Sequence, residues 1–324
     1  MISRRFRRAP SPRAATFSIF LLAAAAGMLS AQQPAETAAG VVVVDLTPKF
    51  LAFYDSARAL NADADLRWQL WQRMVAFAAV PPGDFGARLA RRLLDSAWAR
   101  YPGALDAIRR GVAGLGVSPD SALREVVALL GCGQRTRIRL TVFVGGFEGN
   151  AFAFGVMDGF SNIALPVEAG DQGGALVHEF THAIHRDGCV TFSADYGGTV
   201  AEVVVTEGLA MRVVERLRPG HDEGYYTGAS PGWLEDAAAR RDSLLRGIRA
   251  HLADSGSEAV QRFTFGSGVT GLPREAYYAG WEVVGAMLGR MGMSFHDIAT
   301  TRPQRYPDLV AQAIDSLLVR REPQ

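Results

Sequence analysis

The stretch Gly173-Gly174-Ala175-Leu176-Val177-His178-Glu179-Phe180-Thr181-His182-Ala183-Ile184 decides how the rest of the chain is read. Apart from two histidines, a glutamate and a threonine, every position is small or apolar, which suits a buried helix. Positions four apart share one helix face, so the imidazoles of His178 and His182 can reach one zinc ion. Glu179 stands beside the first of them. From there a carboxylate can take a proton from an activated water and deliver it to a leaving amine. The strand-like run Asn162-Ile163-Ala164-Leu165-Pro166-Val167 comes just before, so the expected local setting is a strand followed by a helix.

A catalytic zinc takes three protein ligands and keeps one position open. His185 is seven residues beyond His178, roughly 10 Å along a straight helix. All three histidines cannot meet at one ion, so His185 reads as a helix-end residue near the negative end of the dipole. The longer pattern HExxHxxGxxH fails, because His185 stands where glycine is needed and Gly188 where histidine is needed. A second helical run, Thr199 to Ala210, offers Glu202 and Glu207. Glu207 lies in Thr206-Glu207-Gly208-Leu209-Ala210, where small neighbours allow close approach to the first helix. Inside so apolar a helix, a carboxylate without a partner is costly to bury. Glu202 faces elsewhere and reads as a structural or solvated carboxylate. Asp187, Asp195 and Glu202 are candidates to orient a ligand histidine through its second ring nitrogen. His221 and His296 could also reach a site, but each is more often incidental.

Outward from this centre the chain divides by texture. Residues 47–131 form an N-terminal helical region, with Thr47 as N-cap and Pro48 in the first turn of its first helix. From Arg137 the pattern turns to short strands: 137–144, 151–156 and 161–167, the last two separated by Asp158-Gly159. Helical periodicity returns over 173–186, 199–217, 231–253, 273–291 and 307–318. Helices, a small sheet, then helices make an α+β layout. The expected divisions are 1–31, a linker at 32–46, the helical region 47–131 and a core at 132–324. Val41 to Val44 within the linker is either a first strand or an apolar part of a tether.

The first 31 residues are an export signal in pattern. Arg4, Arg5, Arg7, Arg8 and Arg13 precede an apolar run of 13 residues, Phe17 to Leu29, and small residues near Ala31 offer a cleavage point. A spanning helix needs about 20 residues, although an uncleaved anchor is the other reading. Cleavage predicts a secreted or periplasmic chain with no stable membrane span. Among 324 residues the net charge is +1, but the segment removes five arginines and no acid, so the remainder carries four more acids than bases. That balance speaks against a nucleic-acid partner. A hydrophobic share of 48% excludes wholesale disorder, and two cysteines exclude a disulfide-rich scaffold.

His178-Glu179-x-x-His182, the string Glu207-Gly208-Leu209-Ala210 and the later Tyr277-Tyr278-Ala279-Gly280-Trp281 together resemble the gluzincin metallopeptidases. More narrowly, they resemble the bacterial predicted zinc-dependent proteases related to peptidase MA-like domains. The resemblance covers about residues 137–291, and the thermolysin-type Asn-Glu-x-x-x-Ser-Asp motif is absent. It implies a thermolysin-like zincin core with Zn2+ held by His178, His182 and Glu207, and Glu179 as general base and acid. The substrate would be a peptide or protein, laid along an edge strand at Asn162–Val167. In similar enzymes a tyrosine or histidine reaches the oxyanion, and Tyr277 has the matching spacing to Gly280. The plain alternative is that Tyr277 packs the core with Trp281 and Val284. Cys132 is an alternative third ligand, as in peptide deformylases, or a disulfide partner of Cys189. The competing function is a non-catalytic peptide-binding protein on a metallopeptidase scaffold, which would have no need for Glu179.

Overall fold

The computed structural model describes residues 35–36, 40–149, 151–170, 172–190, 198–230 and 232–319; the segment 1–31 and Asp195 lie outside them. Five strands form one sheet: β1 (Ala35–Glu36), β2 (Val41–Asp45), β3 (Ile138–Phe143), β4 (Phe152–Met157) and β5 (Phe160–Pro166), in the order β1-β2-β3-β5-β4. β2, β3 and β5 run parallel. Parallel strands are covered on both faces, which is why these runs are nearly all apolar. Val41 to Val44 is therefore strand. β4 joins antiparallel through Asp158 and Gly159, whose φ of 53° and 75° suit a two-residue hairpin turn.

The expected edge strand is displaced by one. Asn162 to Pro166 belong to β5, which pairs with β3 on one side and β4 on the other. The tight turn folds β4 back onto β5, and the open edge passes to Phe152–Met157.

With this sheet the helices make an α+β fold, mostly helical as expected. Before β3 come α1 (Thr47–Ala59), α2 (Ala64–Met74), α3 (Gly83–Ala97), α4 (Tyr101–Arg110) and α5 (Pro119–Leu130). After β5 come α6 (Gly173–Ile184), α7 (Val200–Leu217), α8 (Glu223–Thr227), α9 (Trp233–Ala239) and α10 (Arg241–Arg249). α11 (Ser257–Thr264), α12 (Glu275–Gly289), α13 (Phe295–Thr300) and α14 (Tyr306–Leu318) complete the chain. Thr47 is already helical rather than the cap. Asp45 takes the capping role, its carboxylate accepting from the Thr47 backbone N–H at 2.9 Å and from the hydroxyl at 2.7 Å.

Two devices hold the elements that matter most. α7 and α12 cross backbone to backbone: a Cβ on Gly208 would lie 2.3 Å from the Gly280 carbonyl oxygen, and one on Gly280 would lie 2.6 Å from that of Val204. Backbone atoms cannot swing aside, so any larger residue must part the helices. Helix propensity alone would favour alanine by about 1 kcal/mol. Overpacking of this kind costs about 1–3 kcal/mol, so Gly208→Ala is expected to lower the unfolding midpoint. Gly103, with nothing within 4 Å of its would-be Cβ in α4, is the control. Gly103→Ala should leave stability equal or higher in the same thermal melts, and equal losses at both glycines would refute the crossing argument.

The second device is a disulfide between Cys132 and Cys189, 57 residues apart. It ties the loop after α5 to the π-helical turn His185–Cys189 that extends α6. Closing a loop of this length stabilises by roughly 2–4 kcal/mol. A Cys132→Ser, Cys189→Ser double variant should lose about that much in urea unfolding; an unchanged midpoint would count against the clamp.

Candidate functional site

α6 leaves the sheet after β5 and packs back across β4 and β5. Leu176, Val177, Phe180, Ala183 and Ile184 are buried. Their burial fixes the helix rotation and leaves His178 and His182 on the opposite, half-buried side. α7 lies alongside and brings Glu207 to the same place.

The two Nε2 atoms are 3.0 Å apart. Glu207 Oε2 is 3.3 Å from that of His178 and 3.5 Å from that of His182. A tetrahedral zinc with bonds of about 2.0–2.2 Å spaces its donors about 3.3–3.6 Å apart. Glu207 Oε2 is buried and makes no hydrogen bond. Buried carboxylate oxygens are rarely left so, and a cation at the point of convergence satisfies it together with both imidazole lone pairs. Both carboxylate–imidazole distances fall in that range and the Nε2–Nε2 distance lies just under it, so the donor set fits zinc in number and chemistry and nearly in spacing. Among the described residues, His178, His182 and Glu207 are the group able to hold a metal ion.

The electrostatics run the same way. Burial alone would push the Glu207 carboxyl up, but the adjacent His182 and His178 hold it well below the usual carboxylate range. Burial would lower His182, and the Glu207 carboxylate reverses this and raises it. A buried anion opposite two imidazoles is a seat for positive charge. Glu179, the next residue after His178, is buried.

The Gly208–Gly280 crossing sets the first turn of α12 beside Glu207, because Tyr277 is one turn before Gly280 and Glu207 one residue before Gly208. Tyr277 is half-buried. Its hydroxyl is raised well above the ordinary tyrosine value, first by the Glu207 carboxylate and then by burial, with Glu179 adding to the effect. It therefore remains a proton donor at neutral pH. The Arg274 guanidinium lies 4.1 Å over its ring. Arg274 itself donates to the Gly228 carbonyl at 2.7 Å and the Thr227 carbonyl at 3.2 Å. α8 thereby braces the start of α12.

The other candidates lie elsewhere. His185 opens the π-helical turn, buried, with Nε2 3.0 Å from the Tyr306 hydroxyl. Burial pushes its ring down to about 3. Asp187 accepts from the Ser161 hydroxyl at 2.5 Å and from Arg186, so it anchors that turn to β5. Glu202 sits in the first turn of α7, its backbone N–H donating to the capping Thr199 hydroxyl, and burial raises its carboxyl. Cys132 is spent in the disulfide and supplies no thiolate ligand. His296 bonds the Leu130 carbonyl at 2.8 Å.

Sequence reasoning passed over Tyr225. A Cβ on Gly174 would lie 2.5 Å from its hydroxyl oxygen. Gly174 begins the row 174, 178, 182 that carries both histidines, so Tyr225 lies over the same helix face. The available signal was Gly174 itself, since a glycine on the histidine-bearing face marks something packed against it.

No curated protein and no solved structure matches the chain. Residues 167–305, which span α6, α7 and α12 and hence all four of His178, His182, Glu207 and Tyr277, are similar to the family described as Predicted Zn-dependent protease (DUF2268).

Proposed function

We propose that the chain is an exported zinc metallopeptidase of the gluzincin kind, with its peptidase core at 132–324 beneath the helical region 47–131. The observation that carries this reading is the convergence of two imidazole nitrogens and a buried, otherwise unbonded carboxylate oxygen within one coordination sphere. His178, His182 and Glu207 would hold the ion. When bound, zinc supplies acidification of a water and polarisation of the scissile carbonyl. Glu179 Oε would accept the proton of the attacking water and return it to the departing amine nitrogen. The Tyr277 hydroxyl would donate a hydrogen bond to the carbonyl oxygen as it gains negative charge. β4 rather than β5 has the open edge, so an extended peptide would pair its backbone along Phe152–Met157.

Export draws support from the disulfide, which persists outside the reducing cytosol. Among the described residues no helix is long and apolar enough to cross a membrane. The test is metal removal. Hydrolysis of an unfolded protein substrate should fall to background after chelation and return with about one equivalent of zinc. Undiminished hydrolysis in the chelator refutes the reading.

A further inference from the structure

Above the first turn of α6, on the face that carries both histidines, lies an aromatic side chain that none of the roles above uses. Tyr225 on α8 is 36% exposed. Its ring is stacked on His221, centroids 3.8 Å apart and planes 12° from parallel. The platform is fixed from below: the His221 backbone N–H donates to the Tyr226 hydroxyl at 3.0 Å, and that hydroxyl donates to the Arg218 carbonyl at 3.0 Å. The Tyr225 backbone N–H donates to Asp222 at 2.8 Å, and the far end of α8 is held by Arg274. Helical side chains lean toward the N-terminus of their helix, so the His178 imidazole leans toward the turn where the Tyr225 phenol lies over Gly174. Gly174 is four residues before His178, about 6 Å along the axis. A partly exposed aromatic ring, rigidly backed and one helical turn from the metal ligands, is placed to meet substrate.

We propose that Tyr225, backed by His221, is a specificity-determining residue that packs on the substrate side chain over the first turn of α6 and selects an aromatic or large aliphatic one. This rests on the peptidase reading. Contact with one aromatic face in a partly desolvated site favours phenylalanine over alanine by about tenfold. Gly174 keeps the space above this turn clear of any side chain of its own.

The test uses the full chain carrying Glu179→Gln, loaded with zinc, and labelled Ala/Ser peptides in which a single phenylalanine is moved along the sequence. Binding is read by fluorescence anisotropy, with zinc content measured on every protein. One register should bind about tenfold tighter than the all-Ala/Ser peptide. Tyr225→Ala should cut that preference below about threefold at unchanged zinc content. His221→Ala should lower it partway, and Tyr225→Phe should keep it. A preference that survives Tyr225→Ala overturns the proposal and leaves the peptidase reading standing. Loss of zinc in Tyr225→Ala assigns the residue to packing of α6 and also overturns it. If no peptide binds and the unsubstituted chain cleaves none, the peptidase reading fails and this inference with it.

Discussion

Glu179→Gln is expected to lower kcat/KM for peptide hydrolysis by about 10²–10⁴-fold while zinc content stays the same. The two parts of this result rest on different observations. The carboxylate is not among the converging atoms of His178, His182 and Glu207, so an amide of the same shape leaves that group intact. The amide cannot accept a proton from water at neutral pH, so the step assigned to Glu179 loses its base. Stability gives an internal control. Glu179 is buried, and a neutral amide is less costly to bury than a carboxylate. The variant should therefore melt no lower than the parent, and lost activity cannot be attributed to unfolding. Hydrolysis within about threefold of the parent, at full zinc occupancy, would remove Glu179 from the mechanism.

Local pattern carried the centre of the molecule. The HExxH row needs only helical spacing to place two imidazoles together, and α6 forms where that spacing lies. Asp158-Gly159 encodes its own turn, and the runs on either side became β4 and β5. Glu207 is legible because its neighbours are small, but Gly208 makes its close approach to Gly280 on α12 rather than to α6. Sheet order was not legible. β2 pairs with β3 across nearly a hundred residues of helix, and no local period records which strand fills the middle of the sheet. Local pattern therefore puts the edge at Asn162–Val167, whereas it lies at Phe152–Met157. α4 carries Pro102 in its first turn, where proline is tolerated although it reads as a break. α8 is five residues long, too short for a period to develop, so its position over Gly174 comes wholly from tertiary packing.

Glu207→Ala should weaken zinc binding by at least about a hundredfold in competition with a chromogenic chelator. Removing a group that merely orients a ligand costs 10–100-fold in metal affinity, and a ligand counts for more. In the parent the carboxylate supplies the site's negative charge, held ionised by the two histidines despite its burial. Alanine leaves the two facing imidazoles, with Nε2 atoms 3.0 Å apart, and no anionic donor to offset the ion's charge. Glu202→Ala is the comparison. Its carboxylate lies at the start of α7, outside the converging group, and zinc affinity there should stay within about twofold. Glu207→Gln separates charge from shape, because it keeps an oxygen of similar reach but loses the charge, and its affinity should fall between the two. Parent-like affinity in Glu207→Ala would mean that the third donor is another group. Cys132 could not be that donor while its disulfide stands, and Tyr277, beside the same carboxylate, would be the residue to substitute next.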